Sequence, residues 1–164
     1  MYQSAVITVS DSAFLGLRDD TGGPLVCRLL KDAGYDVTYT CIIPDDQAEI
    51  EAALIYCADI LALALVVTTG GTGFSQRDVT PEATLAVCPR LVPGIPEAMR
   101  REGLATTSRA MLSRQQAGIR GQTLVVNLPG SPKAIRENLA VCIPALRHGL
   151  DKLLSKTGDC AASE

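Results

Sequence analysis

The sequence contains no tryptophan and only two phenylalanines and four tyrosines among 164 residues. Stacking platforms for single-stranded nucleic acid need aromatic side chains, so that class is excluded. A net charge of -3 removes the basic field that a nucleic-acid surface requires. There is one histidine, His148, set late in a helical pattern with no partner, which leaves neither a Cys–His pair nor a Ser–His–Asp set. Six cysteines at 27, 41, 57, 88, 142 and 160 include no CxxC pair, so zinc, which needs clustered ligands, is not expected. Five of the six fall in apolar segments and read as small buried hydrophobes in a reducing compartment. No apolar run approaches the roughly 20 residues needed to span a bilayer, and the start, "MYQSAVITVSDSAF", lacks a basic leader. The expectation is a soluble, cytoplasmic protein with no nucleic-acid or membrane partner.

What is present is aliphatic. Hydrophobic residues make up 47% of the chain, enough for a real core in one domain, expected over 1–155 with a polar, disordered tail over 156–164. Short runs rich in β-branched residues ("AVITVS", "YDVTYTCII", "ALALVV", "TLVVNL") alternate with helical patterns. A helix is predicted from Pro24, with Leu25, Val26, Leu29 and Leu30 on one side and Gly34 as its stop signal. A second carries Ile50, Ala53, Leu54 and Cys57 on one stripe, capped by Asp45 or Asp46. Further segments are predicted at about Pro96–Leu104 (helix) and Ala117–Ile119 (strand). The last helix opens at Ser131-Pro132, turns Ile135, Leu139, Cys142, Ile143 and Leu146 inward, and is kinked by Pro144. Continuously apolar strands alternating with helices give an α/β fold: three layers, a mostly parallel sheet with helices on both faces.

In such a sheet ligands gather outside the carboxyl ends of the strands. The polar loops "SDSAF", "PDDQ", "TTGGTGFSQRD" and "NLPGSPK" all fall there. Gly70, Gly71 and Gly73 let the backbone approach a ligand, Thr68, Thr69 and Thr72 add hydroxyls, and Thr80 with Pro81 can start a helix facing the crevice. Together these suit phosphate, although neither GxxxxGK[ST] nor GxGxxG is present. Arg77 suits a phosphate. Asp78 beside an anion site suggests Mg²⁺, with Asp45 as a second carboxylate; the alternatives are an Arg77–Asp78 surface pair or a helix cap for Asp78, and an N-cap for Asp45. Lys133, in the first turn after Gly130 and the cap Ser131, opposes the helix dipole unless it meets an anion. Ser113, Arg114 and Arg120 are either near the crevice or simply solvated. With no base available, the chemistry indicated works by positioning and electrostatics, as phosphoryl and nucleotidyl transfer do.

The segments "TVSDS", "TTGGTGFSQRDVTPEAT" and "AMLSRQQAGIRGQTLVVNLPGSPKA" resemble the MogA/MoaB-type molybdopterin adenylyltransferases and the gephyrin G domain, over about Val6 to Ala145. The resemblance implies a homotrimer that binds molybdopterin and Mg-ATP, transfers AMP to the pterin's terminal phosphate and hands the product to a MoeA-type molybdate insertase. It implies that Asp45 and Asp78 are the essential pair. Thr69, Gly70, Gly71, Thr72 and Gly73, with Pro129, Gly130 and Ser131, would line the nucleotide and pterin site, and Ser10, Asp11, Ser113 and Arg114 would lie near it. Gln76 stands where the family often has proline, and Ser108-Arg109 where a Pro-aromatic pair is common. The alternatives within the resemblance are a non-catalytic pterin carrier and a CinA- or MoeA-like enzyme on the same fold.

Overall fold

Three strands carry apolar side chains on both faces, and this places them in the middle of the sheet. They are β1 (Gln3–Val9), β3 (Leu65–Thr69) and β6 (Thr123–Leu128). The computed structural model describes residues 1–155; the tail expected to be disordered from 156 lies outside them. Around the three strands the chain forms α1 (Asp11–Phe14), α2 (Gly22–Asp32), β2 (Asp36–Ile43), α3 (Gln47–Ile55), α4 (Thr80–Val87), β4 (Arg90–Leu91), α5 (Gly94–Leu104), β5 (Ala117–Arg120) and α6 (Pro132–Leu154). One π-helical turn, Tyr56–Ile60, extends α3, and a 3₁₀ segment, Ser108–Leu112, precedes β5.

The strand order is β2-β1-β3-β6-β5-β4. The first four strands are parallel, as expected; β5 and β4 are antiparallel additions. The reason is short-range: only Gly121 and Gln122 separate β5 from β6, and a two-residue link can only form a hairpin. Gly121, at φ 56°, supplies the left-handed residue that turn needs. Successive residues of the central strands feed opposite cores. Val6, Val67 and Val126 pack with Leu30 of α2, Met99 of α5 and Leu139 of α6. Ile7, Val66 and Val125 pack with Ile50 and Leu54 of α3 and Ala83 of α4. The edge strand β2 alternates exposed and half-buried residues instead of running apolar throughout.

The helix starting at Pro24 begins two residues earlier, at Gly22. Asp46, not Asp45, caps α3, accepting from Glu49 N at 3.1 Å. Thr80 is no cap; it is the first residue of α4, and its hydroxyl donates to Gly70 O at 3.0 Å. Ser131 caps α6 as expected, and α6 runs unbroken through Pro144. Cys57, Cys88 and Cys142 are buried, and burial pushes the Cys57 and Cys142 thiols up to about 12. They are inert at neutral pH. His148 lies on the exposed side of α6.

One buried amide ties the sheet to the loops above it. Asn127 of β6 is fully buried. Its Nδ2 donates to Thr68 Oγ1 at 3.0 Å and Thr84 Oγ1 at 2.9 Å, and its Oδ1 accepts from Gln116 N at 3.1 Å. Thr84 then donates to Thr80 O. Asn127→Ala leaves two hydroxyls and one N–H to find new partners in a dry interior. The expected cost is about 2–4 kcal/mol, read as a lowered denaturation midpoint with unchanged m-value; a loss under about 0.5 kcal/mol would show that the network carries no weight.

Candidate active site

β1 and β3 are neighbours, but the chain leaves β1 toward β2 on one side and β3 toward β6 on the other. The loops after β1 and β3 therefore diverge, and a crevice opens where the strand order reverses. The Gly-rich loop folds back hard onto this edge. Gly70 has φ 101°, and a Cβ there would lie 2.2 Å from Val9 O. Gly71 has φ 64°, and a Cβ would lie 2.3 Å from Thr80 Oγ1 and 3.2 Å from Asp45 Oδ1. These glycines are required by protein–protein contact within the fold, a stricter reason than the ligand approach inferred from sequence. Gly130 comes against Gly70, its Cβ position 3.5 Å from Gly70 Cα, and Thr69 Oγ1 donates to Pro129 O at 2.9 Å. The "TTGG" and "NLPGS" loops are thus one unit.

Two cavities flank that unit. The first, of about 280 Å³, is walled by Ser10, Thr69, Gly70, Gly130 and Ser131 together with Asp20 and Gly22. The second, of about 410 Å³, is walled by Arg109, Ser113, Gln115, Pro129, Ser131 and Lys133. Ser131 belongs to both walls. Asp20 and Gln115 are site residues that the sequence reading misses. Asp20 accepts from Thr8 Oγ1 at 2.7 Å and from Gly23 N at 2.9 Å. Its signal is its place three residues before Gly23 in "DDTGG", masked by starting that helix at Pro24. Gln115 is 1% exposed and donates to Asn138 Oδ1 at 2.9 Å, while its Oε1 and the Ser113 hydroxyl are buried without a protein partner. No local pattern marks a buried glutamine. Lys133 is exposed and lies 3.8 Å from Glu137. Arg120 is not near the site; it pairs with Asp59 and Val87 O.

Asp11, Asp45, Arg77 and Asp78 line neither cavity. They form a separate polar cluster on the β2 side of Gly71. Asp11 and Asp45 exchange backbone bonds: Asp11 N donates to Asp45 Oδ2 at 2.7 Å and Asp45 N to Asp11 Oδ1 at 2.9 Å. Arg77 does not pair with Asp78; its guanidinium forks onto both oxygens of Asp11 at 2.9 Å. Asp78 Oδ2 instead accepts from Ser75 N at 2.8 Å. The Arg77 hydrogen bonds, helped by the Asp45 backbone N–H, hold the Asp11 carboxyl below the usual carboxylate range. Asp45 moves the other way: burial pushes it up, and the charges of Asp11 and Asp78 add to the push.

Among the described residues no group of three or more His, Cys, Asp and Glu forms a metal cluster. Two carboxylate oxygens, Asp45 Oδ1 and Asp78 Oδ1, carry no hydrogen bond among those residues. A pair of hard donors with open positions fits Mg²⁺ completed by substrate phosphates, and does not fit zinc. Arg114 is pinned rather than solvated, bound to Gly73 O, Asp78 O and Glu82, and its N–H donates to Thr72 O at 2.9 Å.

Comparison with known proteins gives the family and the fold. The family model described as "Probable molybdopterin binding domain" matches residues 5–148. The molybdopterin adenylyltransferase of Helicobacter pylori is 42% identical over 151 residues, covering 91% of this chain and 86% of that protein. That of Escherichia coli K12 is 45% identical over 137 residues, covering 82% and 70%. The crystal structure of the molybdopterin biosynthesis enzyme MoaB from Thermus thermophilus superposes with a TM-score of 0.90 at 42% identity, covering 97% and 100%.

Asp45 has a raised pKa, so its ionised form is disfavoured in the fold and costs stability wherever pH exceeds its folded pKa. Asp45→Asn keeps an acceptor for Asp11 N and removes that cost. The variant is expected to melt at or above the wild-type temperature at pH 7.5. The difference should vanish as pH falls below about 4, where both proteins are neutral at this position. A variant that melts several degrees lower at pH 7.5 would show that the Asp45 charge is already compensated.

Proposed function

The chain belongs to the molybdopterin-binding domain family, and on that premise we propose that it is a molybdopterin adenylyltransferase of molybdenum cofactor biosynthesis. It transfers AMP from ATP to the terminal phosphate of molybdopterin and releases pyrophosphate. The observation that carries this reading is the shared wall of the two cavities at Ser131. Two substrates, each ending in phosphate, can meet head to head there. The second cavity suits the pterin: Gln115 and Asn138 offer amide groups to its polar edge, and Lys133 and Arg109 offer cations to its phosphate. The first cavity, at the glycine-lined start of α2, suits nucleotide phosphates.

An oxygen of the pterin phosphate attacks the α-phosphorus of ATP. The bond from that phosphorus to the bridging oxygen breaks, and its electron pair leaves with pyrophosphate. The nucleophile is already anionic near neutral pH, since the second phosphate ionisation has a pKa near about 6. No side chain has to remove a proton, which accounts for a site without histidine. Ser131 uses an oxygen lone pair for its helix cap, leaving its O–H group to donate to phosphate, while Ser10 caps α1 and shares a hydrogen bond with the Ser12 hydroxyl at 3.2 Å. Asp45 and Asp78 would hold Mg²⁺, which supplies positive charge beside the leaving pyrophosphate. Thr69 to Gly73 and Pro129 to Ser131 position the reacting phosphates across a short gap. From the resemblance we further propose a cytoplasmic homotrimer that passes its product to a MoeA-type molybdate insertase. No helix among the described residues is long and apolar enough to cross a membrane.

Purified protein supplied with Mg-ATP and molybdopterin is expected to release pyrophosphate only when the pterin is present. Asp78→Ala should lower that rate by at least about 100-fold, the scale set by losing an electrostatic contact to a transition state, with its melting temperature retained. A fully active Asp78→Ala would remove the carboxylate pair from the mechanism. A wild type that binds pterin and never releases pyrophosphate would make the protein a carrier.

A further inference from the structure

We infer that Arg114 and Glu82 are a positioning pair that sets Asp78 from the side of the second cavity, an inference that rests on the functional reading above. The family resemblance places Arg114 near the substrate site, yet its guanidinium is already committed. Nε donates to Gly73 O at 2.8 Å, one terminal nitrogen binds the Glu82 carboxylate, and the other reaches Asp78 O and Glu82 Oε2. Its backbone N–H holds Thr72 O at 2.9 Å. One residue therefore grips three carbonyls of the loop that carries Asp78, at Thr72, Gly73 and Asp78 itself. Glu82, in the first turn of α4, fixes the plane of the fork.

The same short segment is gripped from behind. Arg100 of α5 donates to Ser113 O at 3.3 Å and Gln115 O at 3.1 Å. On the remaining side Ser113 Oγ and Gln115 Oε1, both buried without a partner, belong to residues walling the second cavity. A ligand that hydrogen-bonds these two atoms restrains Arg114, which holds the Asp78 loop, through both of its chain neighbours. Occupancy of the second cavity and binding of metal-nucleotide are then coupled, and the coupling is reciprocal. Arg114 touches no substrate in this scheme; it transmits the state of the second cavity to the separate carboxylate cluster that would hold the metal.

The test compares wild type, Glu82→Gln, Arg114→Lys and the double variant, all as full chains. Three readings are taken: pyrophosphate release against Mg²⁺ concentration, molybdopterin affinity by fluorescence with and without Mg-ATP, and thermal unfolding. In the wild type, Mg-ATP should tighten pterin binding about fivefold or more. Glu82→Gln should lower kcat about 10–100-fold, the usual cost of losing an outer support of a metal ligand. It should also raise the Mg²⁺ concentration for half-maximal rate and abolish the coupling, while pterin affinity without Mg-ATP stays within about threefold of wild type. Arg114→Lys, which keeps the charge and loses the fork, should match it, and the double variant should be no worse than the weaker single one. Wild-type kcat and Mg²⁺ dependence in Glu82→Gln would overturn the inference. So would a raised KM with unchanged kcat in Arg114→Lys, which would mean direct substrate contact. A wild type that releases no pyrophosphate would sink the adenylyltransferase reading instead, while the binding measurements would still decide whether the pair couples the two sites.

Discussion

The buried amide of Asn127 is the interaction on which the site depends. It makes three side-chain hydrogen bonds, to Thr68 on β3, Thr84 on α4 and Gln116 at the entry to β5. A typical buried hydrogen bond contributes only about 1 kcal/mol net, but an unpaired buried polar group costs about 1–3 kcal/mol. The consequence is specificity of arrangement more than added stability. β6, β3 and α4 can meet in one register, because any other strands a polar group in an otherwise aliphatic interior. Through Thr84 and Thr80 the same chain of bonds ends on Gly70 O. The glycine loop is therefore bolted to the core, despite lying in a conformation that flexible glycines would readily leave.

Rigidity of that kind lets the site hold unfavourable charge. Of the two cations near Asp11, Asp45 and Asp78, Arg77 spends its fork on Asp11 and Arg114 is paired with Glu82. Asp45 is left half-buried among like charges, which is why its pKa rises while that of Asp11 falls. A loop free to relax would swing Asp78 into solvent and relieve the repulsion. The clamp of Arg114 on Gly73 O and Asp78 O opposes that motion. A structural ion-pair network would balance its charges internally; this one has an anionic surplus that a bound cation would offset.

Much of the fold was legible because it is written in local periodicity. The apolar runs at Ala5 to Val9, Leu65 to Val67 and Leu124 to Leu128 are strands buried on both faces, and the 3.6-residue stripe of Ile135, Leu139, Cys142 and Leu146 faces a core. What the sequence withheld is set by contacts across long separations. Arg77 sits beside Asp78 in the chain but binds Asp11, 66 residues away, because the β1 and β3 loops meet only once the sheet is built. Thr80 reads as a helix cap by every local rule, yet the fold of Gly70 offers its hydroxyl a better partner. Gln115 carries no local signal, and its burial follows from the packing of α5 against α6. β5 was legible as a short strand at Ala117–Ile119, but its antiparallel pairing and the two-residue β4 carry no periodic signature and were missed.

The wall between the two cavities is held by contacts along its whole length. Pro129 accepts from Thr69, Gly130 lies against Gly70, Ser131 caps α6, and Pro132 fixes the first backbone angle of that helix. Two prolines and a cap leave the segment little freedom to lose when substrates arrive. For the proposed reaction this matters more than any acid or base, because both partners are phosphates that repel one another in water. A stiff divider with hydroxyls on it can hold the attacking oxygen and the phosphorus at reacting distance without reorganising, converting an encounter between two anions into a step within one complex. A site of this design needs no histidine; it needs a wall that does not move and positive charge beside the bond that breaks.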